Sequence, residues 1–280
     1  MKRTIFIIAT LFCVSSLKSQ EIKNPNLASM IQSERDFSLT AKESDTRQAF
    51  LSFTNEESLG FNNGPVSLKK EWEQRKADSS WLWWEPDYAD IASSGDFGFT
   101  SGSWEYRKNR TDVKALAQGL FFTIWKKDAS GIWKVLIDMG ISYNDEIPKT
   151  KLSTSAIFSS ALKYSTGPDV LTFDKDLFGN LSTGILDRYD KVLSLEARFY
   201  QSQNRPFIGK KSIIDHISGR EPVSYSAMGS FLAKSGDMGV VYGSAILNPT
   251  DSVSFKKANY LRIWKKENGS TWKLVVEVVE

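Results

Sequence analysis

The sequence predicts an α+β protein of two tandem domains, each placing amino-terminal helices on one face of a curved antiparallel sheet. Three observations carry this. FFTIWKKDASGIWKVLIDMG at 121–140 returns as YLRIWKKENGSTWKLVVEVV at 260–279, an offset of 139. SGDFGFTSGS at 94–103 returns as SGDMGVVYGS at 235–244, and Pro65, Lys69 and Lys70 return at Pro206, Lys210 and Lys211, all at an offset of 141. A near-constant offset across distant segments marks a duplicated domain, and this period is too long for a solenoid or a propeller blade. Finally, helix-like segments precede strand-like ones, the order that sets helices against a meander. The expected boundaries are 21–146 and 165–280, joined by a linker over 147–164.

Residues 1–20 read as a cleaved signal: Lys2 and Arg3, an apolar run over Ile5–Leu17, then Ser19 before polar EIKNPN. The run is short for a retained anchor, and bulky Phe12 argues against a lipoprotein at Cys13. The expected location is therefore secreted or periplasmic. Cleavage removes the only cysteine, so neither a disulfide nor a thiol nucleophile remains. It also removes Lys2, Arg3 and Lys18, which leaves 33 basic against 33 acidic residues. That balance argues against nucleic acid as a partner, since phosphate binding needs a basic surplus. Once the signal is removed, no membrane association is expected either.

Along the first copy, Leu27, Met30, Ile31, Phe37 and Ala41 share one helical face over 27–43, with Asn26 able to cap it. A second helix is expected over 45–53 from Asp45, and a third over 67–76 from Ser67, with Glu71 near the capping-box position. Four strands follow. WLWWEPDYADI holds Pro86 and should be bulged or lie at an edge; DFGFTSGSWEYRK, LFFTIWKK and IWKVLIDMGIS complete the sheet. In the second copy Asn268-Gly269 is a favoured hairpin turn. Regular alternation then sets Trp125 opposite Lys134, Trp264 opposite Lys273 and Arg262 opposite Val275. One face would hold Phe122, Ile124, Trp133, Val135 and Ile137. The other would hold Phe121, Thr123, Trp125, Lys134, Leu136 and Asp138. Both are largely apolar, so both should be covered. AIFSSALKY at 156–164 reads as a short helix between the domains.

Three helices, a curved four-stranded meander and a final W-K-x-x-x-D/E strand resemble the nuclear transport factor 2-like superfamily, which includes cystatin-like and SnoaL-like cone folds. The motifs ER-x-F, W-E-P-x-Y-A, S-G-D-x-G-x-T-x-G-x-W-E and I-W-K-K…W-K-V-x-x-D look like DUF4440-type domains. The resemblance implies two cone-shaped domains over most of 27–143 and, more weakly, 168–280. It implies no activity, because the fold hosts enzymes and pure binding modules alike. Steroid-isomerase chemistry needs a carboxylate base with tyrosine and protonated aspartate donors. Matched onto this chain, the tyrosine falls on Phe37 and Phe178, the base on Phe61 and Ser202, and the aspartate on Thr123 and Arg262. None fits, so the chain leans away from enzyme.

The same matching implies that Thr123, Trp125, Leu136 and Asp138 look into the first cone, and Arg262, Trp264, Val275 and Glu277 into the second. The apolar opposite face is where this fold often dimerises, which predicts an intramolecular pseudo-dimer packed through the faces bearing Trp133 and Trp272. Asp138 and Glu277 are carboxylates at matching places. Each is either an acid–base group at a pocket mouth or a paired structural carboxylate, and Arg262 is an available partner for Glu277. The candidate ligand-binding set is Phe37, Phe61, Trp84, Trp104, Thr123, Trp125, Leu136 and Asp138, with Asp138 the candidate acid or base. The nine tryptophans suit either ring stacking with a small, partly apolar ligand or a cone filled by its own aromatics. The alternative function is a non-catalytic interaction module.

His216, the only histidine, reads as a surface helix residue. One histidine rules out histidine-rich metal sites, no calcium loop occurs, and no phosphate or dinucleotide motif precedes a helix. No cofactor or metal is expected.

Overall fold

Asn24, rather than Asn26, starts the first helix. Its Oδ1 accepts from the Asn26 and Leu27 amides at 3.0 and 3.2 Å, and Pro25 takes the first helical position, where a missing N–H costs nothing. The computed structural model describes residues 22–76, 78–145, 150–157, 169–179, 184–220, 223–247, 256–267 and 271–280. The signal segment, the Asn268-Gly269 turn and most of the helix expected at 156–164 lie outside them.

Helix α1 spans Pro25–Glu43, α2 Thr46–Phe53 and α3 Leu68–Gln74. Asp45 and Ser67 cap the second and third as expected. Between them lie two strands that the sequence reading missed, β1 (Thr54–Phe61) and β2 (Pro65–Ser67). The four expected strands follow as β3 (Trp81–Ile91), β4 (Phe97–Arg107), β5 (Ala117–Lys127) and β6 (Trp133–Ser142). The pairing of β3 with β4 shifts between Pro86 and Tyr88, so the proline does produce a bulge. Ser153–Thr154, within the expected linker, forms a short β7 that pairs in parallel with β3.

The second half repeats this plan. Helices α4 (Val170–Phe178), α5 (Ile185–Val192) and α6 (Lys210–Ile217) accompany β8 (Leu193–Gln201), β9 (Phe207–Ile208), β10 (Ser224–Leu232), β11 (Met238–Leu247), β12 (Lys256–Lys266) and β13 (Trp272–Val279). The sheet orders are β2-β1-β6-β5-β4-β3-β7 and, read from the other edge, β9-β8-β13-β12-β11-β10. They are the same apart from the added β7. Each sheet is mixed rather than purely antiparallel, because β1 runs parallel to β6 and β8 parallel to β13.

A bulge at one repeated position corrects the expected faces. Thr123 pairs with Asp138 and Ile124 with Ile137, but Trp125 pairs with Val135, which leaves Leu136 as the extra residue. In the second copy Arg262 pairs with Glu277, Ile263 with Val276 and Trp264 with Leu274, which leaves Val275. An extra residue reverses the alternation. Trp133 and Val135 therefore face the helices, in a core with Phe37, Phe50 and Trp125. Trp272 and Leu274 do the same beside Trp264. Pairings of Trp125 with Lys134, Trp264 with Lys273 and Arg262 with Val275 do not occur.

The two sheets instead share a third core. Phe122, Ile124, Leu136, Ile137, Met139 and Ile141 of the first sheet pack with Leu261, Ile263, Val276 and Val278 of the second. Phe122 meets Tyr200 edge-on at 4.5 Å. The buried Lys265 ammonium reaches the Asp90 carboxylate across this boundary at 2.6 Å. The repeated SGD motifs also meet there: Ser94 and Ser235 hydroxyls lie 2.9 Å apart, and the Ser93 amide donates to Asp237 at 3.0 Å.

Candidate functional site

The helix-facing side of the first sheet carries a polar centre inside an aromatic shell. Glu34 lies on the stripe of α1 that also bears Met30, Ile31 and Phe37, and it is fully buried. A buried carboxylate needs donors, and three elements supply them. Trp84 Nε1 on β3 donates at 2.5 Å, Trp125 Nε1 on β5 donates at 2.9 Å, and the Thr100 hydroxyl on β4 donates as well. Burial pushes the Glu34 pKa up, and these donors oppose the rise. Ser38, one turn further along α1, donates to the Trp84 carbonyl at 2.5 Å and ties the helix to β3.

Asp138 sits beside this centre on β6. Its Oδ1 accepts from the Thr123 hydroxyl at 3.2 Å. Burial raises the Asp138 pKa to about 7, helped by the neighbouring Glu34 charge and opposed by Thr123. Among the described residues Asp138 makes no ion pair. A half-buried carboxylate that titrates near neutrality and has one weak partner can accept or return a proton.

Asp138 forms part of the wall of a cavity of about 410 Å³. Of the sequence-predicted set, Phe37, Phe61, Trp84, Trp104 and Asp138 line it. Thr123 and Trp125 lie behind the wall, where they hold Asp138 and Glu34. Leu136 does not belong to the site: the bulge turns it into the core shared by the two sheets. The reading missed Glu34, the α3 residues Glu71 and Trp72, nearby Arg75, and Glu280, which reaches the cavity from the second domain. A glutamate on an otherwise apolar helical stripe was the available signal for Glu34.

The second domain holds another polar centre at the matching positions. Asp174 accepts from Trp264 Nε1 at 3.0 Å, as Glu34 does from Trp125. Where Thr123 stands, the second copy has Arg262, fully buried, with its guanidinium 3.3 Å from Asp174 and 3.0 Å from Glu277. Phe178 and Tyr225 lie against it, each ring 3.8 Å from the guanidinium carbon. Tyr189 donates to Glu277 at 2.8 Å. The expected partnership of Glu277 with Arg262 is therefore direct and in register. His216 is buried rather than exposed: it stacks on Phe207 at 3.6 Å, and burial followed by the Arg220 charge lowers its pKa to about 4.

Searches of protein-family models and of curated proteins return no match, so the DUF4440 resemblance gains no support. Solved structures similar to about two fifths of the chain carry the expected fold names. An NTF2-like protein of unknown function from Shewanella oneidensis MR-1 aligns with 40% of this chain and 95% of its own, at 12% identity and a TM-score of 0.33. A cystatin-like-fold protein of unknown function from Nostoc punctiforme PCC 73102 aligns over 40% and 87%, at 9% identity and 0.32. A ketosteroid isomerase-like protein from Erwinia carotovora atroseptica SCRI1043 aligns over 39% and 87%, at 9% and 0.30. Likeness this distant says nothing about activity. Two α+β domains of one topology follow from the strand orders themselves.

Proposed function

We propose that this is an exported small-molecule-binding protein, in which the first domain takes the ligand and the second is its filled structural partner. The observation that carries this reading is the contrast at one register position. Thr123 leaves Asp138 unpaired on the wall of a cavity of about 410 Å³, whereas Arg262 consumes Glu277 and Asp174. The cavity's size and its mix of aromatic walls with few polar groups suit a one- or two-ring molecule. Asp138 can hydrogen-bond such a ligand or move its proton, but isomerase-type donors are missing at Phe37 and Thr123, so binding is the activity assigned.

The test is a screen of one- and two-ring fragments by thermal shift and ligand-observed NMR. Fragments should bind the wild-type chain and be lost in Gly140→Trp. A Cβ at Gly140 meets only Trp104 Nε1, at 3.6 Å, so the new ring has room to enter the cavity. Hits that survive this filling, or no hits at all, would reject the reading.

A further inference from the structure

The charge around the cavity narrows the class of ligand. Among the described residues three carboxylates line it, Asp138 on β6, Glu71 on α3 and Glu280 after β13, against one guanidinium, Arg75. None of the three carboxylates has an ion-pair partner among the described residues. Glu280 is held instead by a neutral donor, Asn259 Nδ2 at 2.7 Å, which fixes the side chain and leaves its charge uncompensated. Arg75 is already engaged, with its guanidinium 4.1 Å from the Trp72 ring centre. That contact shows an aromatic wall of the cavity accepting a cation on its face. The lining also includes Phe37, Trp84, Trp104 and Phe121, and the face of an aromatic ring favours positive charge.

An anionic ligand would enter against this charge. A neutral ligand could hydrogen-bond Asp138 but would leave its charge uncompensated beside buried Glu34. A cation would compensate Asp138 while its body covered the aromatic walls. The second domain shows that this stereochemistry can be filled: there a guanidinium at the matching place lies between carboxylates and against the rings of Phe178 and Tyr225. We infer that the ligand of the first domain is a ring-bearing organic cation, an amine or quaternary ammonium whose charge sits against Asp138 and whose ring lies among Phe37, Trp84 and Trp104. It enters past Glu71 and Glu280 and does in the first cone what Arg262 does in the second. The inference rests on the binding reading above and names its substrate class.

Three probes of one shape test it by isothermal titration calorimetry with the full chain: naphthylmethylamine, naphthylmethanol and naphthoate. The amine should bind about tenfold or more tightly than the alcohol, with naphthoate weakest. Asp138→Asn, checked for native circular dichroism, should bring amine and alcohol within about threefold of each other. Binding led by the alcohol or by naphthoate would overturn the cation assignment and leave the binding reading standing. Equal preference for the amine in wild type and Asp138→Asn would also overturn it. Failure of all three probes in the wild-type chain, together with an empty fragment screen, would remove the binding reading itself.

Discussion

Thr123 and Arg262 occupy the same register position in the two domains, opposite Asp138 and Glu277. The two sheets share a strand order and a bulge, and each polar centre has a tryptophan donating to a helix carboxylate. Several side chains differ at the centre, and the one that changes its charge is Thr123 against Arg262. Arginine brings its own charge into the second cone, meets both carboxylates and stacks on two aromatic rings. Threonine brings one hydroxyl, which donates to Asp138 and neutralises neither carboxylate. In the second domain the charge that compensates the buried acids comes from the chain itself; in the first domain Thr123 supplies none.

The comparison breaks most visibly at Arg262. Its removal strands Asp174 and Glu277, both buried and both negative. Losing one partner of a buried ion pair costs about 3–5 kcal/mol. Arg262→Ala should therefore lower the urea unfolding midpoint severely, whereas Thr123→Ala, which removes a neutral hydrogen bond, should cost about 1 kcal/mol. Replacing the whole triad, with Arg262→Met, Asp174→Asn and Glu277→Gln together, should recover most of the loss. Equal costs for Arg262→Ala and Thr123→Ala would mean that the two centres are not doing different jobs.

Asp138 sharpens the contrast through pH. Its folded pKa is raised to about 7, so between the ordinary aspartate value and about 7 the folded chain keeps a proton that the unfolded chain has lost. Stability must then fall as pH rises through that window, with the full penalty present above it. Asp138→Asn should stabilise the protein by about 1–3 kcal/mol near pH 8 and leave it unchanged near pH 4. Paired urea titrations at the two pH values decide this. A variant less stable than wild type near pH 8 would mean that Asp138 is compensated in the folded chain.

Much of this arrangement was legible because duplication and helix chemistry leave local marks. The near-constant offsets, the capping residues Asp45 and Ser67, and the aromatic strands set the elements, and Thr123 and Trp125 lie on the helix-facing side of β5 as expected. The misreadings have two physical sources. TNEESLGF and LSLEARFYQ each gain their place by running parallel to the last long strand of their own domain, a non-local pairing with no turn signal. The bulges at Leu136 and Val275 insert one residue with no glycine to announce it. Leu136 was therefore assigned to the cavity and Trp133 to the domain interface, the reverse of what the register gives. Glu34 escaped because a charged residue on an apolar helix face is discounted unless its donors, which lie 50 to 91 residues away in the chain, are brought together.

The smallest expected effect concerns what the domains still share. The repeated SGD turns meet across the boundary: Ser94 and Ser235 lie hydroxyl to hydroxyl at 2.9 Å, and the Ser94 amide also donates to Ser235 at 3.3 Å. Each serine hydroxyl also lies within hydrogen-bond reach of the aspartate of its own motif, Asp96 or Asp237, so the single proton of one of them is shared between that aspartate and the other serine. The motif thus does a local job within each turn and a joint job between the turns, and single substitutions mix the two. A double-mutant cycle separates them. Ser94→Ala and Ser235→Ala should each cost about 1 kcal/mol, and the pair together should cost less than their sum by about 0.5 kcal/mol, because the contact between them can be lost only once. Strict additivity would confine each serine to its own turn. The packing of the two sheets would then rest on contacts such as their shared apolar core, the Lys265–Asp90 pair and the hydrogen bond from the Ser93 amide to Asp237.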